Sequence, residues 1–429
     1  MDDGRLPRRG FLGTGAAASL AAGLMAHSAP AAAAETSELK IGIVGCGGRG
    51  IGALDDSLSI NRDVKVVAAA DLYPAKAAAM RETLGPKHEG KLALADAKIH
   101  GGLDGYKRVL EDPDVDIVLL TTSPGFRPRM ILEAVEAGKH VFAEKPACVD
   151  PAGYRICLEA HDKAVAKGTG IVTGTQYRRQ ANYIGAVEEI RKGTIGELVS
   201  GTTRYCAGGI WYRPRKEGMR DAEYQLNNWM HFIWLSGDQI AEQAVHNLDT
   251  INWVMGENPV SAYGSGGRFT RQADSEMWDN MAIDYEYPGG KVVSFMCRQI
   301  PGTTGDNGSV IEGTEGTCFI EAINGGSRIV NRKGQEIWKL GGSISQAYQQ
   351  EHKDLVDSIR AGKPIVELKQ TADSSLVAVL GRVAAYTGQK VTFDFLAKES
   401  KLDLFPKELT WDSTLPKPQF AIPGRTKLV

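Results

Sequence analysis

Leu39-Lys40-Ile41-Gly42-Ile43-Val44-Gly45-Cys46-Gly47-Gly48-Arg49-Gly50 decides the fold. The first six residues read as a short buried strand, and a G-x-G-x-x-G turn follows without a gap. A helix-compatible stretch comes next. Val64-Lys65-Val66-Val67-Ala68-Ala69-Ala70 then reads as a second strand that ends in Asp71. Strand, turn, helix, strand and acid in this order form the unit that binds a dinucleotide. Gly45 permits the tight turn, Gly47 lets the backbone approach a pyrophosphate, and Gly50 lets helix and strand pack closely. Gly48 and Arg49 lie in the same turn, at a helix N-terminus whose N–H groups and dipole favour phosphate. Asp71, 21 residues beyond Gly50, can accept both ribose hydroxyls of NAD and repels the 2′-phosphate of NADP.

The alternation continues outward. Val115 to Leu120 is a further buried strand, followed by Thr121-Thr122-Ser123-Pro124. Ile131 to Ala137 has helical spacing and stops at Gly138. Lys139 to Ala143 is the next strand, ending in Glu144-Lys145-Pro146, and Pro151 to Lys167 and Gly170 to Thr175 add a helix and a strand. This predicts an α/β N-terminal domain, residues 38–177, with a doubly wound parallel sheet. Ligands bind at the carboxyl ends of such strands, where Asp71, Ser123 and Lys145 stand. The proline after Lys145 restricts the chain there. At that position the ammonium would meet the nicotinamide and a substrate hydroxyl. Burial and a nearby positive ring lower a lysine pKa, which suits acid/base work.

After Thr175-Gln176-Tyr177-Arg178-Arg179 the pattern changes. Ala181 to Lys192 looks helical, and Leu198 to Cys206 alternates like a strand. Tyr205 to Asn228, rich in aromatics, arginine and glycine, reads as a loop over a site. Met281 to Tyr287 and Lys291 to Cys297 form a hairpin around Pro288-Gly289-Gly290, and Val310 to Ile323 adds strands. With helical returns at Gln346 to Ala361 and Thr371 to Tyr386, this predicts an α+β C-terminal domain, residues 178–395, with an open, mostly antiparallel sheet. Residues 396–429 form a tail expected to wrap a neighbouring surface. Gln239 to Met255 reads as one largely buried helix with Glu242, His246 and Asp249 at i, i+4 and i+7 on a single face. Buried ionisable groups need partners, water or substrate. Tyr177, Arg178, Trp229, His231 and Asp249 are the substrate-side candidates.

Length alone, 429 residues, suggests two or three domains. The 50 basic and 52 acidic residues give a net charge of -2, which argues against a nucleic-acid binder. The six cysteines (Cys46, Cys148, Cys157, Cys206, Cys297 and Cys318) have neither zinc spacing nor a disulfide framework, so no metal is expected. Residues 1–34 read as an address. Arg8-Arg9-Gly10-Phe11-Leu12 fits the twin-arginine pattern, a weakly apolar run follows, and Ala31-Ala32-Ala33-Ala34 fits a cleavage site. The mature chain has no run of 18 apolar residues and is expected to be free of the membrane, in the periplasm or outside the cell.

The ordered set G-C-G-G-R-G, T-T-S-P and A-E-K-P resembles the Gfo/Idh/MocA oxidoreductases, from Lys40 to about Phe395. The resemblance implies NAD as cofactor, held by Gly45, Gly47, Gly48, Arg49, Gly50, Asp71, Thr121, Ser123, Pro124, Glu144 and Lys145. It matches Lys145 to the family's catalytic lysine. Where members carry D-x-x-x-H, this chain has Glu242-Gln243-Ala244-Val245-His246, longer by one methylene at the acid. Lys145, His246 and Glu242 are therefore the catalytic candidates, with Glu242 expected to orient His246. The function implied is an exported NAD-dependent oxidoreductase acting on a sugar, polyol or glycoside hydroxyl. Export removes the chain from cytoplasmic recycling, so the cofactor is expected to be held tightly and regenerated in each cycle. A net glycoside hydrolase working by transient oxidation, and an NAD-loaded carbohydrate-binding protein without turnover, are the alternatives. A homo-oligomer is expected.

Overall fold

The computed structural model describes residues 38–322 and 325–429; the expected export signal lies outside them. The first half carries β1 (Leu39–Val44), α1 (Gly48–Ile60), β2 (Val64–Asp71), α2 (Pro74–Leu84), β3 (Ile99–Gly101), α3 (Gly105–Leu110), β4 (Ile117–Leu120), α4 (Arg127–Glu136), β5 (His140–Ala143), α5 (Pro151–Lys167) and β6 (Ile171–Thr173). Its six strands are all parallel in the order β3-β2-β1-β4-β5-β6. The order reverses between β1 and β4, and a crevice opens there at the strands' carboxyl ends. Local chemistry sets the boundaries. The side chain of Asp150 accepts from Gly153 N and caps α5, Pro151 opens the helix, and Gly168 closes it with φ of 69°.

The second half adds α6 (Ala181–Arg191), β7 (Leu198–Ala207), α7 (Asp221–Asn227), α8 (Ile233–Ser236), α9 (Gln239–Glu242), α10 (Val245–Met255), β8 (Ser261–Gly267), β9 (Asn280–Tyr287), β10 (Lys291–Gln299), β11 (Asp306–Gly313), β12 (Gly316–Glu321), β13 (Gly326–Asn331), β14 (Glu336–Gly341), α11 (Ile344–Arg360), α12 (Leu368–Thr387) and β15 (Val391–Thr392). Its nine-stranded sheet runs β14-β13-β12-β11-β7-β10-β9-β8-β15. Only β7 and β10 are parallel neighbours; the other pairs are antiparallel. The α/β plus mostly antiparallel α+β architecture is as expected. No helix among the described residues is long and apolar enough to cross a membrane.

Three details differ from the sequence reading. The stretch from Gln239 to Met255 is two helices, broken at Gln243 and Ala244. Gln243 Oε1 accepts from Gln299 Nε2 of β10, a tertiary partner that apolar spacing does not register. The loop after β7 contains α7. The chain beyond Lys390 returns to its own body: Leu402 O accepts from Ala152 N, Asp150 accepts from Leu404 N, and Leu415 is buried.

The halves share their packing. α12 is buried along nearly its whole length, and its Arg382 donates to the carbonyls of Gly237 and Val149. α11, from the second half of the sequence, puts Leu355 and Val356 into the core of the first sheet. Ile365 to Glu367 extends that sheet beyond β6 through hydrogen bonds to Ile171.

His352 on α11 is buried against Phe142 of β5, with ring centroids 4.2 Å apart. Burial pushes its imidazole down from 6.5 to about 3. The unfolded chain therefore takes up a proton near pH 6.5 that the folded chain refuses until about pH 3. Stability is lost as pH falls through that window, by up to roughly 1.4 kcal/mol per pH unit for one such group. His352→Phe is expected to flatten the acid side of the stability profile, read as the urea midpoint against pH. An unchanged acid slope would assign that sensitivity to other groups.

Candidate functional site

The crevice at the strand ends is a cavity of about 550 Å³, with a smaller one of about 150 Å³ beside it. The glycine turn forms one wall. Gly45 has φ of +94°, and a Cβ on it would stand 2.9 Å from the backbone of Thr121. A Cβ on Gly50 would come within 2.0 Å of Gly45 O. These two glycines are required by the fold. Gly47 and Gly48 have nothing within 4 Å of an added Cβ. Both line the cavity at the start of α1, where backbone N–H groups can receive a phosphate. The side chain of Thr121 ties the turn to β4 by donating to Val44 O (3.0 Å) and Gly45 O (2.5 Å).

Asp71 faces the smaller cavity. Its carboxylate accepts from Cys46 N (2.8 Å) and Tyr73 N (3.0 Å) and keeps lone pairs for two hydroxyls. Lys76 Nζ stands 3.9 Å away and lines both cavities. Ser123 also lines both. Pro124 is buried in the one-turn helix Pro124–Phe126 below them. These residues could hold a dinucleotide, with Gly47 and Gly48 offered to its phosphates and Asp71 to a ribose.

Glu144, at the end of β5, is buried and accepts from Arg49 Nε and from Lys145 N (3.2 Å). Burial works to raise its carboxyl, but Arg49, Lys145 and Arg127 outweigh it and hold the group at about 2. Arg49 also lies over the Tyr348 ring at 4.6 Å. Arg127 donates to the carbonyls of Thr122, Lys145 and Pro146, so it clamps the ends of β4 and β5 together.

Lys145, Glu242 and His246 line the larger cavity together. At the end of α9 the Glu242 carbonyl accepts from Lys145 Nζ (2.5 Å), and its carboxylate lies 3.4 Å from the same nitrogen. The expected pairing of Glu242 with His246 is therefore corrected: the helix break removes Glu242 from the face of α10 and gives it to Lys145. His246 has the Gln176 amide at 3.5 Å from Nε2, and its Nδ1 is buried without a hydrogen-bond partner among the described residues. Burial, then the Lys145 charge, pushes its imidazole well below 6.5, so it is neutral at pH 7.

The substrate-side candidates divide. Tyr177 and Trp229 line the cavity, and the Tyr177 ring lies 5.1 Å from His246. Arg178 and Asp249 do not. They form a two-bond ion pair (2.8 and 2.9 Å) that Ser374 completes, so this part of the polar stripe serves internal packing. His231 is buried behind the wall, between Ser275 Oγ and Trp211 O. Sequence reasoning missed Lys76, Arg127, Gln176, Tyr205 and Tyr348. For Gln176 the signal was present, since it sits beside Tyr177 just after β6. Tyr348 comes from α11, far along the chain, and carried no local signal.

The glycines make a contrast. Gly50→Ala should destabilise the fold by about 1–3 kcal/mol through overpacking. Gly47→Ala should stay near the parent in thermal stability but lose bound dinucleotide, because its methyl points into open cavity. Stability and cofactor content measured on both variants check this. Equal stability losses, or full cofactor in Gly47→Ala, would contradict it.

Comparison with known proteins agrees with this geometry. Residues 39–167 match the family described as "Oxidoreductase family, NAD-binding Rossmann fold", and residues 183–319 match its "GFO/IDH/MocA C-terminal domain". An inositol 2-dehydrogenase of Ralstonia nicotianae is 29% identical over 256 residues, 59% of this chain and 65% of that protein. The scyllo-inositol 2-dehydrogenase (NAD(+)) of Bacillus subtilis is 26% identical over 274 residues, 61% of this chain and 73% of its own length. The match thus spans a little under two thirds of the length of the first of these relatives. Among solved structures, a levoglucosan dehydrogenase in complex with NADH and levoglucosan superposes with a TM-score of 0.67 at 16% identity, over 83% of this chain and 99% of that one. An aldose-aldose oxidoreductase from Caulobacter crescentus, complexed with glycerol, gives 0.62 at 20%, over the same shares. With both halves matched in order, and the glycine turn and Asp71 in place at the crevice, this chain belongs to the Gfo/Idh/MocA oxidoreductase family and carries its NAD-binding Rossmann domain.

Proposed function

We propose that the protein is an NAD-dependent oxidoreductase acting on a CH–OH group of a sugar, polyol or glycoside. The observation that carries this reading is the meeting of a lysine ammonium and a neutral buried histidine in the cavity lined by the glycine turn. Support also comes from the relatives, which are named as inositol dehydrogenases. NAD, when bound, supplies the hydride acceptor.

The chain's own groups handle the proton and the orientation. His246 is kept uncharged by burial, so it can receive the hydroxyl proton at Nε2, which faces the distant Gln176 amide among the described residues. Lys145 Nζ is fixed by the Glu242 carbonyl and can donate to the same substrate oxygen, steadying negative charge as it develops. Glu242 acts through Lys145: its carboxylate balances the ammonium without a direct place in proton transfer. Arg49 and Glu144 hold the phosphate side, and Tyr177 backs the His246 ring.

The reading extends to location and assembly. The paired arginines Arg8-Arg9 and the Ala31 to Ala34 run support export by the twin-arginine route. Export would require the cofactor to stay bound and be restored by a second sugar within each cycle. The outer face of the second sheet exposes Val292, Met296 and Tyr263. Such a face supports a homo-oligomer.

Protein denatured after purification should release NAD rather than NADP, since the Asp71 carboxylate occupies the place of a 2′-phosphate. Mass analysis of the released cofactor decides this, and mostly NADP would refute it. Lys145→Ala and His246→Ala should each lose about 100- to 10,000-fold in kcat while keeping NAD. Glu242→Gln should lose less, because the carbonyl contact to Lys145 survives. The acid limb of kcat/KM should lie below pH 6.5, since the His246 base stays unprotonated there. A limb at or above 6.5 would mean that another group is the base.

A further inference from the structure

Beyond the reacting groups, the same cavity has a wall that the chemistry above does not use. It is the segment Trp211-Tyr212-Arg213, in the irregular stretch between β7 and α7. Its backbone is held from behind by buried side chains. His231, 1% exposed, holds Trp211 O at 2.7 Å and Ser275 Oγ at 2.9 Å. Asn228, fully buried, accepts from Arg213 N (2.9 Å) and donates to Arg213 O (2.6 Å). The intervening Tyr212 hydroxyl bonds Tyr224 and Asp274.

The outward side chains are treated in the opposite way. Trp211 remains 38% exposed, with Arg213 over its ring at 4.4 Å and Trp229 edge-on at 6.2 Å. The Arg213 guanidinium spends one donor on Asn227 O and has no other hydrogen-bond partner among the described residues. Burying two polar side chains to immobilise an exposed indole gains the fold little. A rigid, half-open aromatic beside an arginine with spare donors is a surface made to take a sugar ring: C–H groups against the indole, hydroxyls to the guanidinium. Its partners are Trp229, Asn227, Asn228 and His231, not Lys145, Glu242 or His246. Trp229 reaches the Asp71 cavity as well; Trp211 and Arg213 line only the larger one. The wall is thus neither part of the reacting centre nor at the ribose end of the cofactor site.

We infer that Trp211 and Arg213 form a subsite for a second sugar ring, so that the substrate is a disaccharide or similar glycoside rather than a free monosaccharide. This rests on the proposed oxidoreductase reading and names its substrate class.

The test uses the NAD-loaded protein with maltose, cellobiose and lactose against glucose and galactose. At least one disaccharide should exceed its component monosaccharides about tenfold in kcat/KM, the scale of one well-made ring contact. That ratio should fall towards one in Trp211→Ala and in Arg213→Ala, and be partly kept in Trp211→Phe, which preserves an aromatic face if the alanine variant folds poorly. No disaccharide preference, or a preference that survives Trp211→Ala and Arg213→Ala, would overturn the subsite. So would loss of NAD from Trp211→Ala, which would make this side chain a cofactor lid. If no sugar is turned over, the oxidoreductase reading fails by itself. Calorimetric titration of the same protein with the same sugars then decides the subsite, with the same tenfold ratio now expected in Kd and its absence counting against the proposal.

Discussion

The buried carboxylate of Glu144 fixes the geometry of the cofactor side. It accepts from Arg49 in the glycine turn and from its own neighbour Lys145 N, and it lies under the charges of Arg49, Lys145 and Arg127. A Cβ on Gly174 would stand 2.6 Å from its carboxylate oxygen, so glycine there leaves the carboxylate its place beside the end of β6. The turn after β1 and the ends of β5 and β6 are thus arranged around one ion. A buried charge deprived of its partners costs about 3–5 kcal/mol, so the arrangement is held in place by what its disruption would cost. Glu144 was grouped with cofactor ligands in the sequence reading. In the structure its oxygens accept from Arg49 Nε and Lys145 N.

The groups proposed to react come from both halves of the chain. Lys145 follows β5 of the first sheet, and Glu242 and His246 belong to the second half; Lys145 Nζ reaches across to both the carbonyl and the carboxylate of Glu242. The break between α9 and α10 makes the carbonyl bond available at a helix end, where carbonyls lack intrahelical partners. A residue outside catalysis, Gln243, is the one tied to β10 at the break.

The parts legible in the sequence were those specified locally. The glycine turn, Asp71 and the alternation of strands with helices depend on neighbours a few residues away, and the parallel sheet followed from them. What escaped was set at long range. Apolar spacing across Gln239 to Met255 looks continuous because the break is made by Gln299 of β10, not by a glycine or proline. Asp249 looked like a site residue because a buried acid needs a partner, and that partner, Arg178, lies 71 positions away. The wall at Trp211 depends on His231 and Asn228, whose role as backbone clamps has no sequence signature. His231, a substrate-side candidate in the sequence, is one of these clamps.

The return of α11 to the first half bears on how the chain can be made. Asn61 donates to His352 O, Arg360 donates to the carbonyls of Arg62 and Asp63, and Leu355 and Val356 close the core beneath α1. The edge of β6 is completed only by Ile365 to Glu367. The dinucleotide fold is therefore not a separable module, although its sequence signature ends near Lys167. On a ribosome, its core stays open until about two hundred further residues have emerged, and the second sheet from β7 to β14 is synthesised in that interval. A fusion or truncation cut between the halves would leave the first with an uncovered apolar face and an unpaired strand edge, the features that drive nascent chains to aggregate.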